Sequence, residues 1–107
     1  MKEVKNEEEI LNNEGLTIVK AYGDWCIPCK MYTEHFEAVA KEYSDKASFY
    51  SLDVLKHEDF TKKYGVRGVP TTLFFENGKL LVSAVGVNDE KKLKSLINDV
   101  MEHDKDE

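Results

Sequence analysis

The dipeptide Asn77-Gly78, with the apolar run Thr71 to Phe75 before it and Leu80 to Val85 after it, constrains this chain more than any other local feature. Asn and Gly both accept the positive φ that a two-residue type I′ turn demands, and that turn joins neighbouring antiparallel strands. No other pair of apolar runs has this link. Leu16 to Tyr22 is β-branched and aromatic, bounded by Gly15 and Gly23, and apolar without clean alternation, as expected of a strand covered on both faces. Phe49 to Val54 reads as the next strand. Between these two, Tyr32, Phe36, Val39 and Tyr43 recur at intervals of four, three and four, which places them on one face of a helix. Strands joined through a helix run parallel with a right-handed crossover, so the sheet is mixed and carries an antiparallel hairpin at its edge.

Three further helices complete the pattern. Asn6 ahead of Glu7, Glu8 and Glu9 reads as a cap with acids in the first turn, and Gly15 stops that short helix. Glu58 and Asp59 at one end and Lys62 and Lys63 at the other suit the dipole of another, which Gly65 ends. Leu93, Leu96, Ile97, Val100 and Met101 form the apolar face of the last, with Asn88 as its expected cap. The expected fold class is α/β: a mixed central sheet of four strands, or five if a short first strand adds to it, flanked by helices on both faces.

A chain of 107 residues holds one core without staples, so a single domain over residues 1–107 is expected, with an acidic C-terminal tail at 102–107. Twenty-one acidic against fifteen basic residues leave a net charge of −6, the wrong sign for gripping phosphate backbones, so nucleic acid is not an expected partner. The longest stretch free of charge, Leu80 to Asn88, is about half of the roughly 18 residues that suggest a membrane span. The N-terminus, acidic from Glu7 onward, does not read as a signal peptide, which favours the cytoplasm. Two cysteines are too few for a disulfide-framed miniprotein.

Those two cysteines carry the chemistry. Trp25-Cys26-Ile27-Pro28-Cys29-Lys30 lies directly between the first strand and the long helix, so Cys26 falls at a helix N-terminus. Unpaired N–H groups and the positive helix end favour an anion there and raise the thiolate fraction of Cys26, which should be the nucleophile. Cys29, one helical turn deeper, can attack the resulting mixed disulfide and resolve it. Three other readings compete. A disulfide closing so short a loop contributes only about 2 kcal/mol, against about 3 for a fifteen-residue loop, a weak reason to place a staple here. Zinc needs two more ligands, and His35, His57 and His103 match no common spacing. Haem attachment needs His after the second Cys, where this chain has Lys30.

Trp25-Cys26-x-Pro28-Cys29-Lys30, then Tyr64-Gly65-Val66-Arg67-Gly68-Val69-Pro70-Thr71, then Phe74-Phe75-x-Asn77-Gly78 and Gly86 together resemble the thioredoxin family from about residue 15 to residue 100. The resemblance implies a thioredoxin fold and a thiol–disulfide oxidoreductase that reduces disulfides of client proteins. It also implies recharging by a flavin-dependent thioredoxin reductase, no bound cofactor or metal, and a monomer. Pro70 would be the family's cis-proline facing the cysteine pair, turning the Val69 backbone outward for strand addition by an extended client. Trp25, Gly68, Val69, Val85 and Gly86 would line a shallow apolar groove around Cys26. Read without the family, Val69 and Val85 are core residues at strand ends, Trp25 is a surface aromatic and Pro70 a turn.

Departures from the family pattern matter as much. Lys20 stands where the family usually has a buried aspartate, and Ser51 where it often has a lysine. Buried and neutral, Lys20 could accept the Cys29 proton; charged, it would favour a Cys29 thiolate; on a less covered strand it would snorkel to solvent. Asp53 is a candidate partner for it. Ile27 replaces a glycine and adds an apolar side chain beside the attacking sulfur, where it would touch clients. Pro28 is retained, as in reducing members of the family. Glu34 replaces a helix-kinking proline, so the long helix should run straight. The family's first strand survives at most as Lys2 to Val4. Ile27 and Lys20 leave room for a specialised relay with a narrow partner set, and a redox-inactive adaptor on the same fold is the remaining alternative. His35 reads as a packed or surface histidine, Asp24 as a turn residue, and the acidic runs as solvated surface.

Overall fold

The computed structural model describes residues 1–105, with side chains to Glu102; the end of the acidic tail, Asp106 and Glu107, and the His103 side chain lie outside the described residues. The elements run β1 (Lys2–Glu3), α1 (Glu8–Leu11), β2 (Leu16–Tyr22), α2 (Ile27–Glu42), β3 (Ser48–Asp53), α3 (Glu58–Lys63), β4 (Thr71–Glu76), β5 (Lys79–Val85) and α4 (Glu90–Lys105). The strands form one sheet in the order β1-β3-β2-β4-β5. β1 and β2 run parallel to β3, and β4 runs antiparallel to β2 and β5. The fifth strand is the short β1, whose Lys2 and Glu3 pair with Tyr50 and Ser51.

Turn chemistry sets the hairpin as the sequence predicts: Asn77 has φ 50° and Gly78 φ 80°, and Glu76 pairs with Lys79 across them. Gly78 meets a second demand, because a Cβ there would run into the Leu11 carbonyl at the end of α1. The turn is also tied to Gly15, whose N–H donates to Asn77 Oδ1 at 2.8 Å. Asn6 does cap α1, accepting from the Glu8 N–H at 2.9 Å, while Glu9 reaches back to the Asn6 N–H at 2.8 Å. The last helix corrects the expectation. Asp89, not Asn88, accepts from the Lys92 N–H at 2.8 Å, and Asn88 is buried with its amide on the Gly86 carbonyl. That helix also continues through Lys105, beyond the edge expected near Met101.

The core lies on both faces of β2, because alternate side chains of a strand point to opposite sides. Leu16 and Ile18 pack with Tyr32, Phe36 and Val39 of α2, Phe74 of β4, and Leu93 and Ile97 of α4. Val19 and Ala21 pack on the other side with Ile10, Leu52, Phe60, Leu73 and Phe75. The same alternation places Lys20 on the α2 side, at the end of the strand nearest the cysteines. α2 runs unbroken from Ile27 to Glu42, with Glu34 in its middle.

Candidate active site

β2 ends at Tyr22, and four residues later the chain enters α2, so the cysteine pair is fixed by a buried strand on one side and a packed helix on the other. Cys26 occupies the N-cap of α2 in an extended conformation, with Pro28 in the first turn, where its missing N–H costs nothing. The Cys29 N–H donates to Cys26 Sγ at 3.2 Å, so the sulfur takes the place of the usual capping oxygen. The two cysteines are joined as a disulfide with Cα atoms 5.2 Å apart. Cys26 is 7% exposed and Cys29 2%, so the first cysteine is the more accessible of two buried ones.

The segment before β4 reaches the same sulfur. The Val69–Pro70 peptide is cis, and the Val69 carbonyl oxygen lies 3.6 Å from Cys26 Sγ. Reduction restores a thiol proton that can donate across that gap. Trp25 is 60% exposed, and its ring lies across Gly23, where a Cβ would come within 2.5 Å of the indole. Trp25, Gly68 and Val69 line one cleft of about 220 Å³. Val85 and Gly86 flank Pro70: Val85 pairs with Thr71, and the Gly86 N–H donates to the Pro70 carbonyl at 2.9 Å. Val85 is 79% exposed, so the reading of it as a core residue is wrong; the edge strand β5 turns it to solvent. Ile27 is 71% exposed but borders a different shallow cleft, shared with Met31 and His35 along α2. His35 faces Glu90 at 3.8 Å on the surface.

Behind the disulfide lies a cavity of about 270 Å³ bordered by Lys20, Tyr22, Cys29 and Thr33. Lys20 is 3% exposed, so it does not snorkel. Its Nζ donates to Thr33 Oγ1 at 2.7 Å, and the Thr33 hydroxyl donates in turn to the Cys29 carbonyl at 3.0 Å. The same Nζ stands over the rings of Tyr22 and Phe36, 5.7 and 5.6 Å from their centroids. Burial pushes the Lys20 pKa down from the usual lysine range, and the carboxylates of Glu37 and Glu3 pull it part of the way back. Asp53 is not its partner: that carboxylate accepts from the Leu55 N–H at 2.9 Å, and among the described residues Lys20 forms no ion pair. Thr33 is the residue that sequence reasoning missed. Its signal was the spacing of four from Cys29, which lets a helical threonine bond the preceding turn's carbonyl. Among the described residues no cluster of His, Cys, Asp and Glu is arranged to hold a metal ion.

A strand, a Cys-x-x-Cys turn at a helix N-terminus and a facing cis-proline segment define a dithiol–disulfide oxidoreductase. Comparison with known proteins agrees. The thioredoxin family model matches residues 1–99. Thioredoxin of Pseudomonas aeruginosa is 32% identical over 92 residues, covering 86% of this chain and 85% of that protein. Thioredoxin of Buchnera aphidicola is 31% identical over 93 residues, covering 87% of this chain and 86% of that one. The crystal structure of Malassezia sympodialis thioredoxin superposes with a TM-score of 0.82 at 27% identity, covering 92% of this chain and 88% of that one. This chain belongs to the thioredoxin family and is a thiol–disulfide oxidoreductase with protein-disulfide reductase activity. Members of the family reduce disulfide substrates and are themselves reduced by thioredoxin reductase.

Proposed function

We propose that Cys26 attacks the disulfide of a client protein and that Cys29 resolves the intermediate, in a single domain working as a monomer. One observation carries this: Cys26 Sγ sits at the N-cap of α2, accepting the Cys29 N–H at 3.2 Å, where helix-end N–H groups stabilise a thiolate. The Cys26 thiolate bonds to one client sulfur, the client S–S bond breaks, and the departing client thiolate takes a proton. Cys29 then loses its proton and bonds to Cys26 Sγ, the mixed disulfide breaks, and the second client thiolate is protonated. Two electrons have passed to the client, and the Cys26–Cys29 disulfide remains.

Client docking uses the cleft of Trp25, Gly68 and Val69, with Val85 and Gly86 beside Pro70; the exposed apolar side chains at a covered sulfur support this. Ile27 extends the apolar rim along α2. A flavin-dependent reductase of the thioredoxin-reductase kind returns the two electrons. A reducing compartment, the cytoplasm, suits a dithiol donor, and among the described residues no helix is long and apolar enough to cross a membrane. The test is a Cys29→Ser variant exposed to cell extract, which should hold clients covalently on Cys26, whereas Cys26→Ser should hold none. A broad catch marks a general reductant and a single catch a dedicated relay. An empty catch, with Cys26→Ser still supporting function, refutes the reading in favour of an adaptor.

A further inference from the structure

We propose that Lys20 is a positioning residue for the resolving step: its ammonium, anchored on Thr33, favours the Cys29 thiolate and so sets how fast the mixed disulfide is released. The inference rests on Cys29 being the resolving thiol.

The hydrogen-bond directions suit a charged amine. Thr33 has one hydroxyl proton, and it is committed to the Cys29 carbonyl at 3.0 Å. At the Lys20 contact of 2.7 Å, Thr33 can therefore only accept, and Nζ must donate. Thr33 offers no proton to the lone pair of a neutral amine, so nothing in this chain of bonds favours the uncharged form. Two aromatic faces within 6 Å, Tyr22 and Phe36, also suit a cation. The surroundings agree from each side. Glu3 on β1 and Glu37 on α2 supply negative field, and the Tyr22 phenol is held protonated by burial and by its bond to Glu3. The direct sheet neighbours of Lys20, Ser51 on β3 and Thr72 on β4, carry no charge. Met1, Asp24 and Lys30 also border the same cavity. Burial acts against the charge, but the cavity leaves room for water on the remaining N–H groups.

The consequence falls on Cys29, which borders the same cavity and whose carbonyl ends the Lys20–Thr33 chain. Loss of the Cys29 proton to cavity water creates a negative charge on a residue that borders the same cavity as the anchored ammonium, and the two attract. That thiolate bonds to Cys26 Sγ, the bond from Cys26 to the client breaks, and the electron pair leaves with the client sulfur, which takes up a proton. A more ionised Cys29 makes this faster near neutral pH.

The test is the acid constant of Cys29 measured by carbon NMR in a Cys26→Ser background, where it titrates alone. Adding Lys20→Met should weaken Cys29 as an acid about tenfold, and Lys20→Arg should restore most of that loss. In the two-cysteine protein, Lys20→Met should slow release of a preformed mixed disulfide by a similar factor at pH near 7 and move its pH profile upward. Thr33→Val, which cuts the anchor and leaves the strand untouched, should weaken Cys29 at least about threefold. Acid constants within twofold of the parent in Lys20→Met, or in Thr33→Val should Lys20→Met not fold, overturn the inference. Failure of Cys29→Ser to trap clients would instead overturn the assignment of the resolving thiol, and the acid constants would still report on Lys20.

Discussion

Replacing Lys20 with Met should stabilise the oxidised protein, and the gain should shrink as pH rises. Moving an ammonium out of water costs several kcal/mol. Lys20, 3% exposed, recovers part of this: about 2 kcal/mol from the charged bond to Thr33, and about 0.5–1 kcal/mol from each of the rings of Tyr22 and Phe36. The balance leaves a net cost of about 1–2 kcal/mol near pH 7. Met keeps the apolar stem, and Thr33 keeps its bond to the Cys29 carbonyl, so no buried donor is orphaned. Burial holds the folded-state pKa below the usual 10.5, so the unfolded chain binds this proton more tightly. The penalty is complete below the folded-state pKa and fades as pH climbs from there to 10.5, which makes wild type gain on the variant across that window. Urea unfolding of both proteins, followed by circular dichroism from about pH 7 to about pH 10, measures the gap and cancels the other titrations. The disulfide form is used because neither cysteine titrates in it. A variant less stable than wild type at pH 7, or a gap that does not change with pH, would show that Lys20 is not desolvated and would refute the reasoning.

Two further substitutions test the frame that holds the site. Gly78→Ala combines a φ of 80° with a Cβ driven into the Leu11 carbonyl, whereas Gly15→Ala has a φ of 83° and open space. Thermal or urea unfolding should show Gly15→Ala losing about 1 kcal/mol and Gly78→Ala at least about 1 kcal/mol more; equal losses would remove the α1–hairpin contact from the account. Tyr32→Phe removes a buried phenol 2.7 Å from Thr72 Oγ1 and should cost about 1–2 kcal/mol, while adding Thr72→Val should cost little more, since the buried Thr72 hydroxyl is then no longer left without the phenol. A double variant whose losses simply add would show that the pair contributes nothing as a pair.

Much of the fold was legible because its signals are short-range. β2 runs over Leu16–Tyr22 as read from its bounding glycines, the hairpin turns at Asn77-Gly78, and α3 spans Glu58–Lys63 with its acids and lysines at the expected ends. The cap of α4 shows the limit of such reading. Asn88 and Asp89 are both good capping residues, and the choice fell to Asp89 because packing buried Asn88 against Gly86. β1 could not be settled from two residues of sequence, since its existence depends on the free edge of β3.

The candidate site divides in the same way. Local sequence alone determined that a cysteine would sit at the entry to α2, because a strand, a Cys-x-x-Cys turn and an amphipathic helix follow one another without a break. Tertiary structure alone decided what surrounds that cysteine. Val69 reaches Cys26 from 43 residues away, Val85 turns outward on an edge strand, and Lys20 is buried with its amine on Thr33. Hydrophobic period and turn propensity act over a few residues of chain, whereas burial, charge state and approach of distant backbone depend on which faces the packed elements present to one another.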